Sequence, residues 1–174
     1  MPLPLRILVG MVATLLVGLC FVAIVVQSFD GPVAIIAGGP FTSGERYSGP
    51  EPDWEFLRDR EEVEFQLLDP ARSRTTWIAY HEGKIYIPSG YMNTAVGKLW
   101  KRWPHEAMAD GRALLRVDGQ IYERELVRVM TGPAVLPVLA ELKRKYIPDA
   151  EISSEPVESG ALWLFELAAR APQD

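Results

Sequence analysis

Two β-hairpin patterns separated by a basic segment constrain the fold of this chain more than any other feature. The first hairpin is predicted over residues 75–88 and the second over residues 113–129. The second is closed by Asp118-Gly119, a pair that readily adopts the left-handed dihedrals of a tight type I′ turn. Residues 95–108 lie between the hairpins and are predicted to be a helix. This order of elements predicts a small β-barrel with a helical crossover.

The flanking residues add elements of the same architecture. Residues 62–68 alternate apolar and polar side chains, which predicts a strand with one buried face. A helix is predicted from 132 to about 146, and a final strand over 162–167. In the second hairpin, Arg124-Glu125 interrupts the alternation, which predicts a bulge. The fold class is therefore mainly β (α+β), a split β-barrel with packed helices.

An uncharged apolar run over residues 7–26 precedes the barrel. Twenty helical residues span roughly 30 Å, the thickness of the hydrocarbon core of a bilayer. We expect an uncleaved transmembrane anchor, the alternative being a signal peptide cut after Ser28. Arg6 precedes the run, which favours a cytoplasmic N-terminus and a soluble domain on the exported, periplasmic or extracellular side. The predicted organisation is an anchor over 1–28, a Gly/Pro-rich linker over 29–52 and a barrel domain over 53–174.

Composition excludes several functional classes. The net charge of −5 argues against nucleic-acid binding. The only cysteine, Cys20, lies inside the apolar run, so the soluble part has no thiol chemistry. No P-loop, dinucleotide-binding glycine motif, Ser-centred nucleophile elbow or metal-ligand spacing occurs in the sequence. No catalytic residue can be assigned from these patterns.

The ordered motifs over roughly residues 36–170 resemble the flavin-binding split β-barrel superfamily, the pyridoxamine 5′-phosphate oxidase-like group. The chain looks most similar to a membrane-anchored branch that is related to deazaflavin-dependent nitroreductase-like proteins. The motifs that carry this resemblance are Gly38-Gly39, Ser43-Gly44-Glu45, Pro52-Asp53-Trp54, Trp77-Ile78, Gly83-Lys84-Ile85-Tyr86-Ile87, Trp100, Asp110-Gly111-Arg112, Val117-Asp118-Gly119-Gln120-Ile121-Tyr122 and Leu162-Trp163-Leu164-Phe165.

The resemblance implies a homodimer with a flavin-type cofactor, FMN or deazaflavin, at the subunit interface. Relatives that have lost the flavin, or that bind haem instead, are also implied. The positions that match the phosphate contacts of such barrels are Arg72 or Arg74, then Ser89, then Lys98 with Lys101 or Arg102. Pro88-Ser89-Gly90 departs from the usual pattern around the hydroxyl.

The residue types themselves offer a functional and a structural interpretation. Three cations at helical spacing, Lys98, Lys101 and Arg102, can hold a phosphate, or they can form a solvated helix face. The candidates for a flat wall against a cofactor ring, or for ordinary core and interface packing, are Trp77, Tyr80, Tyr91, Trp100 and Trp103. His105 and His81 are candidate haem ligands or acid–base groups at positions that are commonly exposed.

Two functions follow from these alternatives. The first is a flavin- or deazaflavin-dependent oxidoreductase whose substrate and electron donor the sequence does not specify. The second is a non-enzymatic exported module that binds a ligand or a protein. Both are attached to the lipid bilayer through residues 7–26.

The topology prediction is testable with fused reporters. A reporter that is active only outside the cytoplasm, placed after Asp174, should be active, because Arg6 holds the N-terminus inside. The matched control is a reporter that works only in the cytoplasm, fused at the same residue, which should be silent. Activity of the cytoplasmic reporter would contradict the predicted orientation.

Overall fold

The computed structural model describes residues 2–33 and 36–170, so the last four residues of the predicted barrel domain lie outside it. The structure does not describe the side chains of residues 23, 96, 99 and 100. The helices are α1 Leu3–Val26, a 3-10 helix Trp54–Leu57, α2 Ala95–Trp100, α3 Trp103–Ala109, α4 Val135–Tyr146 and α5 Glu155–Glu158. The strands are β1 Glu45–Arg46, β2 Glu62–Leu68, β3 Ala71–Trp77, β4 Ala79–His81, β5 Lys84–Ser89, β6 Arg112–Val117, β7 Gln120–Val129 and β8 Trp163–Ala169.

The strands form one curled, mostly antiparallel sheet in the order β3-β2-β6-β7-β8-β5-β4, with β1 pairing in parallel with the start of β7. The two edge strands of this sheet, β3 and β4, are separated in the chain only by Ile78. A single residue covers only about 3.3 Å, so the two edges must approach each other and the sheet must curl. The expected barrel-like architecture with packed helices is confirmed.

The core of the barrel is filled from one end by α3. Trp103 at the start of α3 is buried and packs edge-on against Phe65 of β2 at 5.0 Å between ring centroids. It also lies 5.3 Å from the ring of Phe165 of β8. Ala107, one turn further on, belongs to the same cluster. Trp103, one of the candidates for the wall of a cofactor site, is therefore a buried residue of the hydrophobic core.

A buried arginine fixes the other side of the core. Arg124 points inward from β7, is 3% exposed, and makes a bidentate ion pair with Glu51 at 2.8 and 3.0 Å. Its guanidinium lies 4.8 Å from the ring of Trp54, whose indole N–H also donates to Glu51. Burial would raise the pKa of Glu51, but the bonds from Arg124 and Trp54 outweigh it and hold the pKa below its usual value. Residues 51–54 are thereby fixed to the barrel.

Three sequence predictions are wrong in detail. Residues 75–77 pair with β2, so the first hairpin contains only β4 and β5, with Ala79 opposite Tyr86. The predicted bulge at Arg124-Glu125 is absent, because β7 keeps a regular register with both β6 and β8. The predicted helix over 95–108 is two helices, since the chain leaves helical dihedrals at Lys101 and Pro104 stands near the start of α3.

The remaining element predictions are confirmed. The strand over 62–68 coincides with β2, the second hairpin is β6 and β7, and α4 and β8 fall where they were expected. Asp53 accepts a hydrogen bond from the backbone N–H of Glu55 and caps the 3-10 helix. Helix α1 is long and apolar enough to cross a membrane, a property that signal sequences share.

The Asp118-Gly119 turn gives a test of the fold. Gly119 has a φ of +78°, and a Cβ at this residue would meet no atom within 4 Å. Gly119→Ala should therefore lower the free energy of unfolding by about 1 kcal/mol through backbone strain alone. Gly90→Ala is the control, because Gly90 does not have a positive φ and its Cβ would only touch Leu162 at 4.0 Å. Urea denaturation of the detergent-purified chain gives both values, and equal effects would contradict the turn.

Candidate functional site

The predicted phosphate contacts lie around α3, at the end of the barrel that this helix closes. Lys98 is on α2, Lys101 is in the break between the helices, and Arg102 is the N-cap residue of α3. Arg74 reaches the same helix from β3, because its guanidinium bonds Glu106 at 3.1 Å. Ser89, at the end of β5, is paired with Trp163 of β8, a residue that also contacts α3.

Two of these five residues are already engaged inside the protein. Arg74 is largely buried and its charge is balanced by Glu106. Burial lowers the pKa of the Arg74 guanidinium, and the nearby charge of Glu106 opposes that change. The Ser89 hydroxyl is buried and donates to the sulfur of Met92 at 3.5 Å. Both side chains are therefore bonded within the protein in this structure, where they support the residues around α3.

The three cations of the α2–α3 segment differ from Arg74 and Ser89 in the partners of their side chains. The side chains of Lys98, Lys101 and Arg102 make no hydrogen bond or ion pair to any residue that the structure describes. Lys98 and Arg102 are exposed, whereas Lys101 is half-buried. Burial lowers the pKa of Lys101, and no neighbouring acid compensates for it. This segment therefore presents positive charge that no carboxylate of the described chain neutralises.

A fourth unbalanced cation, Arg128, lies on the inner face of β7. The guanidinium of Arg128 stacks over the ring of Trp163 at 3.6 Å. Its Nε is buried without a hydrogen-bond partner in the described chain, and burial lowers the pKa of this guanidinium. The ring of His105 packs against the same indole in a T-shaped arrangement, with 4.9 Å between the ring centroids. The backbone N–H of His105 bonds the carbonyl of Arg102, so these two residues are one helical turn apart in α3.

We define the α3 site as Lys98, Lys101, Arg102, His105, Arg128 and Trp163. It combines four uncompensated cations with one half-buried indole, which is the chemistry of a site for an anion attached to a flat apolar group. The sequence prediction included its three α2–α3 cations but missed Arg128 and Trp163. Arg128 follows Arg124 and Leu126 at period two, so the alternation would have placed it on the inner face if no bulge had been assumed.

The other candidate wall residues are dispersed. Trp77 stacks on Tyr146 at 4.3 Å on the far side of the barrel, and Tyr80 lies under the guanidinium of Arg58. Tyr91 is exposed with a φ of +63°. The side chain of Trp100 lies outside the described residues. The structure thus brings none of these three described rings to Trp163.

His81 and the acids give no metal site. His81 ends β4 and lies 3.8 Å from Glu82 at the hairpin turn. Within residues 2–33 and 36–170, no group of three or more His, Cys, Asp or Glu side chains is arranged to hold a metal ion.

A depression in the surface beside Arg116 has a structural explanation. It has a volume of about 310 Å³ and its centre is Arg116, which bonds Glu64 at 2.7 Å and Asp30 at 2.9 Å. A hydrogen bond from the Ser43 hydroxyl lowers the pKa of Asp30 well below its usual range, against a smaller opposing effect of burial. The bonds of Arg116 to Asp30 and Glu64 hold the segment after α1 on β2 and β6.

Comparison with known proteins adds little beyond this geometry. No protein-family model matches the chain, and no curated protein matches it significantly. The crystal structure of a conserved hypothetical protein, Rv2991, from Mycobacterium tuberculosis is similar to 76% of this chain and 86% of its own. The TM-score is 0.49 and the sequence identity is 14%. The fold description therefore depends on the strand order of this chain itself.

The two inward arginines of β7 allow a matched test of whether Arg128 is structural. Arg124→Met removes a paired charge and its bonds, and should lower the free energy of unfolding by about 1–3 kcal/mol. Arg128→Met removes an unpaired, partly desolvated charge, so its effect should stay within about 0.5 kcal/mol or be stabilising. Urea denaturation followed by tryptophan fluorescence measures both. A loss at Arg128 as large as that at Arg124 would show that Arg128 is needed for folding.

Proposed function

We propose that this protein is a membrane-anchored, split-barrel-like protein that binds a flavin-type cofactor, FMN or deazaflavin, at the α3 site. The cofactor would supply redox chemistry for a small-molecule substrate, while the barrel supplies orientation and charge. The single observation that carries the proposal is the set of four cations without an acidic partner among the described residues, one of which stacks on the half-buried Trp163.

The residues present fit such a group in part. Lys98, Lys101 and Arg102 are free to form charge-assisted hydrogen bonds to a phosphate. The indole of Trp163, which contacts Arg128 and His105, offers an apolar surface. The role of Arg74 and Ser89 is positional in this proposal, because one is paired with Glu106 and the other bonds Met92. No residue of the chain is assigned to the reaction itself.

Membrane attachment through α1 is part of the proposal. Helix α1 has 24 residues and is almost entirely exposed, so most of its described side chains have no packing partner within the barrel. With Arg6 on the cytoplasmic side, the barrel would face the exported side of the membrane. The homodimer expected from the resemblance is part of the same proposal, and the α3 site would then lie near the partner subunit.

Ligand titration tests the cofactor. Charge-assisted hydrogen bonds contribute roughly 1.5–3 kcal/mol each, so Lys98→Ala/Arg102→Ala should weaken FMN or deazaflavin binding by about a hundredfold or more. The matched control is Lys84→Ala/Arg46→Ala, which removes the same two charge types from exposed ion pairs with Glu166 and Glu123. Binding is measured by quenching of ligand fluorescence with the full-length chain in detergent.

The outcomes separate the alternatives. Equal affinity of the wild type and Lys98→Ala/Arg102→Ala would remove the α3 site from the binding surface. A wild type that binds only haem, tested in parallel by absorbance, would replace the flavin-type cofactor. A wild type that binds none of the three ligands would overturn the cofactor proposal and favour a non-enzymatic binding module.

A further inference from the structure

The chain that leaves α1 is fixed to the barrel by close backbone contacts. Gly39 lies against the carbonyls of Gln27 and Phe29, where a Cβ would come within 2.3 Å of the Gln27 oxygen. Arg72 of β3 donates a hydrogen bond to the Gln27 side chain at 3.0 Å. Val26, the last residue of the helix, is buried. The end of α1 therefore has a defined position beside β3 and is not followed by a free linker.

Directly after this contact, three apolar side chains face outward. Phe29, Val33 and Ile36 are 51%, 41% and 43% exposed, and we call them the juxtamembrane patch. Val33 and Ile36 are joined by two backbone hydrogen bonds. The only charged residue from 27 to 37 is Asp30, and its carboxylate is bonded to Ser43 and Arg116 of the barrel. The patch therefore continues the apolar surface of α1 without an exposed, unpaired charge.

The dimensions of a bilayer place this patch in the headgroup layer. The uncharged residues 7–26 span roughly 30 Å, which matches the hydrocarbon core, and each headgroup layer adds about 5–7 Å. Phe29 is three residues beyond the core boundary, and its carbonyl lies against Gly39, close to that of Gln27.

We propose that the juxtamembrane patch lies in the headgroup layer of the bilayer and docks the barrel on the membrane surface. The partner is a lipid surface, and the contact would set which side of the barrel faces the lipid. The proposal rests on the anchoring of α1 that is part of the proposed function, and it is independent of the cofactor.

Spin labelling of the full-length chain in phosphatidylcholine–phosphatidylglycerol vesicles tests the contact. In a Cys20→Ser background, single nitroxide labels are attached through Val33→Cys, Val17→Cys or Ile147→Cys. Collision with oxygen, which partitions into lipid, is compared with collision with a water-soluble nickel chelate. All three native side chains are exposed apolar residues in the protein alone.

Ile147 is the control that should remain in water. It follows Tyr146, whose hydroxyl bonds the backbone of Ile78 just beyond the far end of β3. Arg72, near the end of α1, is six residues from Ile78, or about 20 Å along an extended strand. A label at 147 should therefore collide freely with nickel.

We expect a label at position 33 to collide less with nickel and more with oxygen than a label at position 147. Its collision rates should approach those of a label at position 17. Position 33 behaving like 147, with 17 protected, would overturn the docking while leaving the anchor intact. Nickel access at position 17 equal to that at 147 would show that α1 is outside the bilayer, which would overturn the anchor as well as the docking.

Discussion

The ion pair of Arg124 with Glu51 is the interaction on which the rest of the barrel depends. A guanidinium on the inner face of a central strand has lost most of its hydration, and that cost is recovered only by a well-placed anion. Glu51 supplies the anion, and it comes from the segment before the first long strand rather than from the sheet. The chain must therefore bring Trp54 and Leu57 over this side of the barrel, where both are almost fully buried.

The sequence predicts those parts of the fold whose cause lies in neighbouring residues. Alternation over 62–68, the Asp118-Gly119 turn and the helical spacing after Gly132 each act within a few positions, so the corresponding elements were correctly predicted. The irregularity at Arg124 has its cause 73 residues away at Glu51. In the local pattern, a charged residue at an inward position interrupts the alternation of the strand. The bulge was predicted from this interruption.

The first hairpin was misplaced for a related reason. The inner face of β3 carries Arg72, Arg74 and Thr76. The strand therefore lacks the alternation of apolar and polar residues that would have identified it as the partner of β2. Its polar inner face exists because α3 provides Glu106 to bond Arg74. The break before α3, in contrast, had a local signal in Pro104, which is favoured in the first turn of a helix and disfavoured inside one.

The candidate site was likewise predictable from the sequence only in part. Its charge was visible in the sequence, because Lys98, Lys101 and Arg102 occur in a short stretch without acids. Its geometry was not visible, because Trp163 comes from the last strand, about sixty residues later, and meets His105 only after the barrel has closed. The unpaired state of Arg128 is likewise a property of the folded neighbourhood.

The place of β8 between β7 and β5 has a consequence for how the protein is made. The hairpin of β4 and β5 is complete early in synthesis, yet its outer edge is covered only when Glu166 pairs with Tyr86, eighty residues later. Until β8 has been synthesised, the nascent chain therefore has an open strand edge at β5, which can pair with other chains. A chain truncated before Trp163 would keep that edge open, so the protection of β5 from pairing with other chains depends on β8.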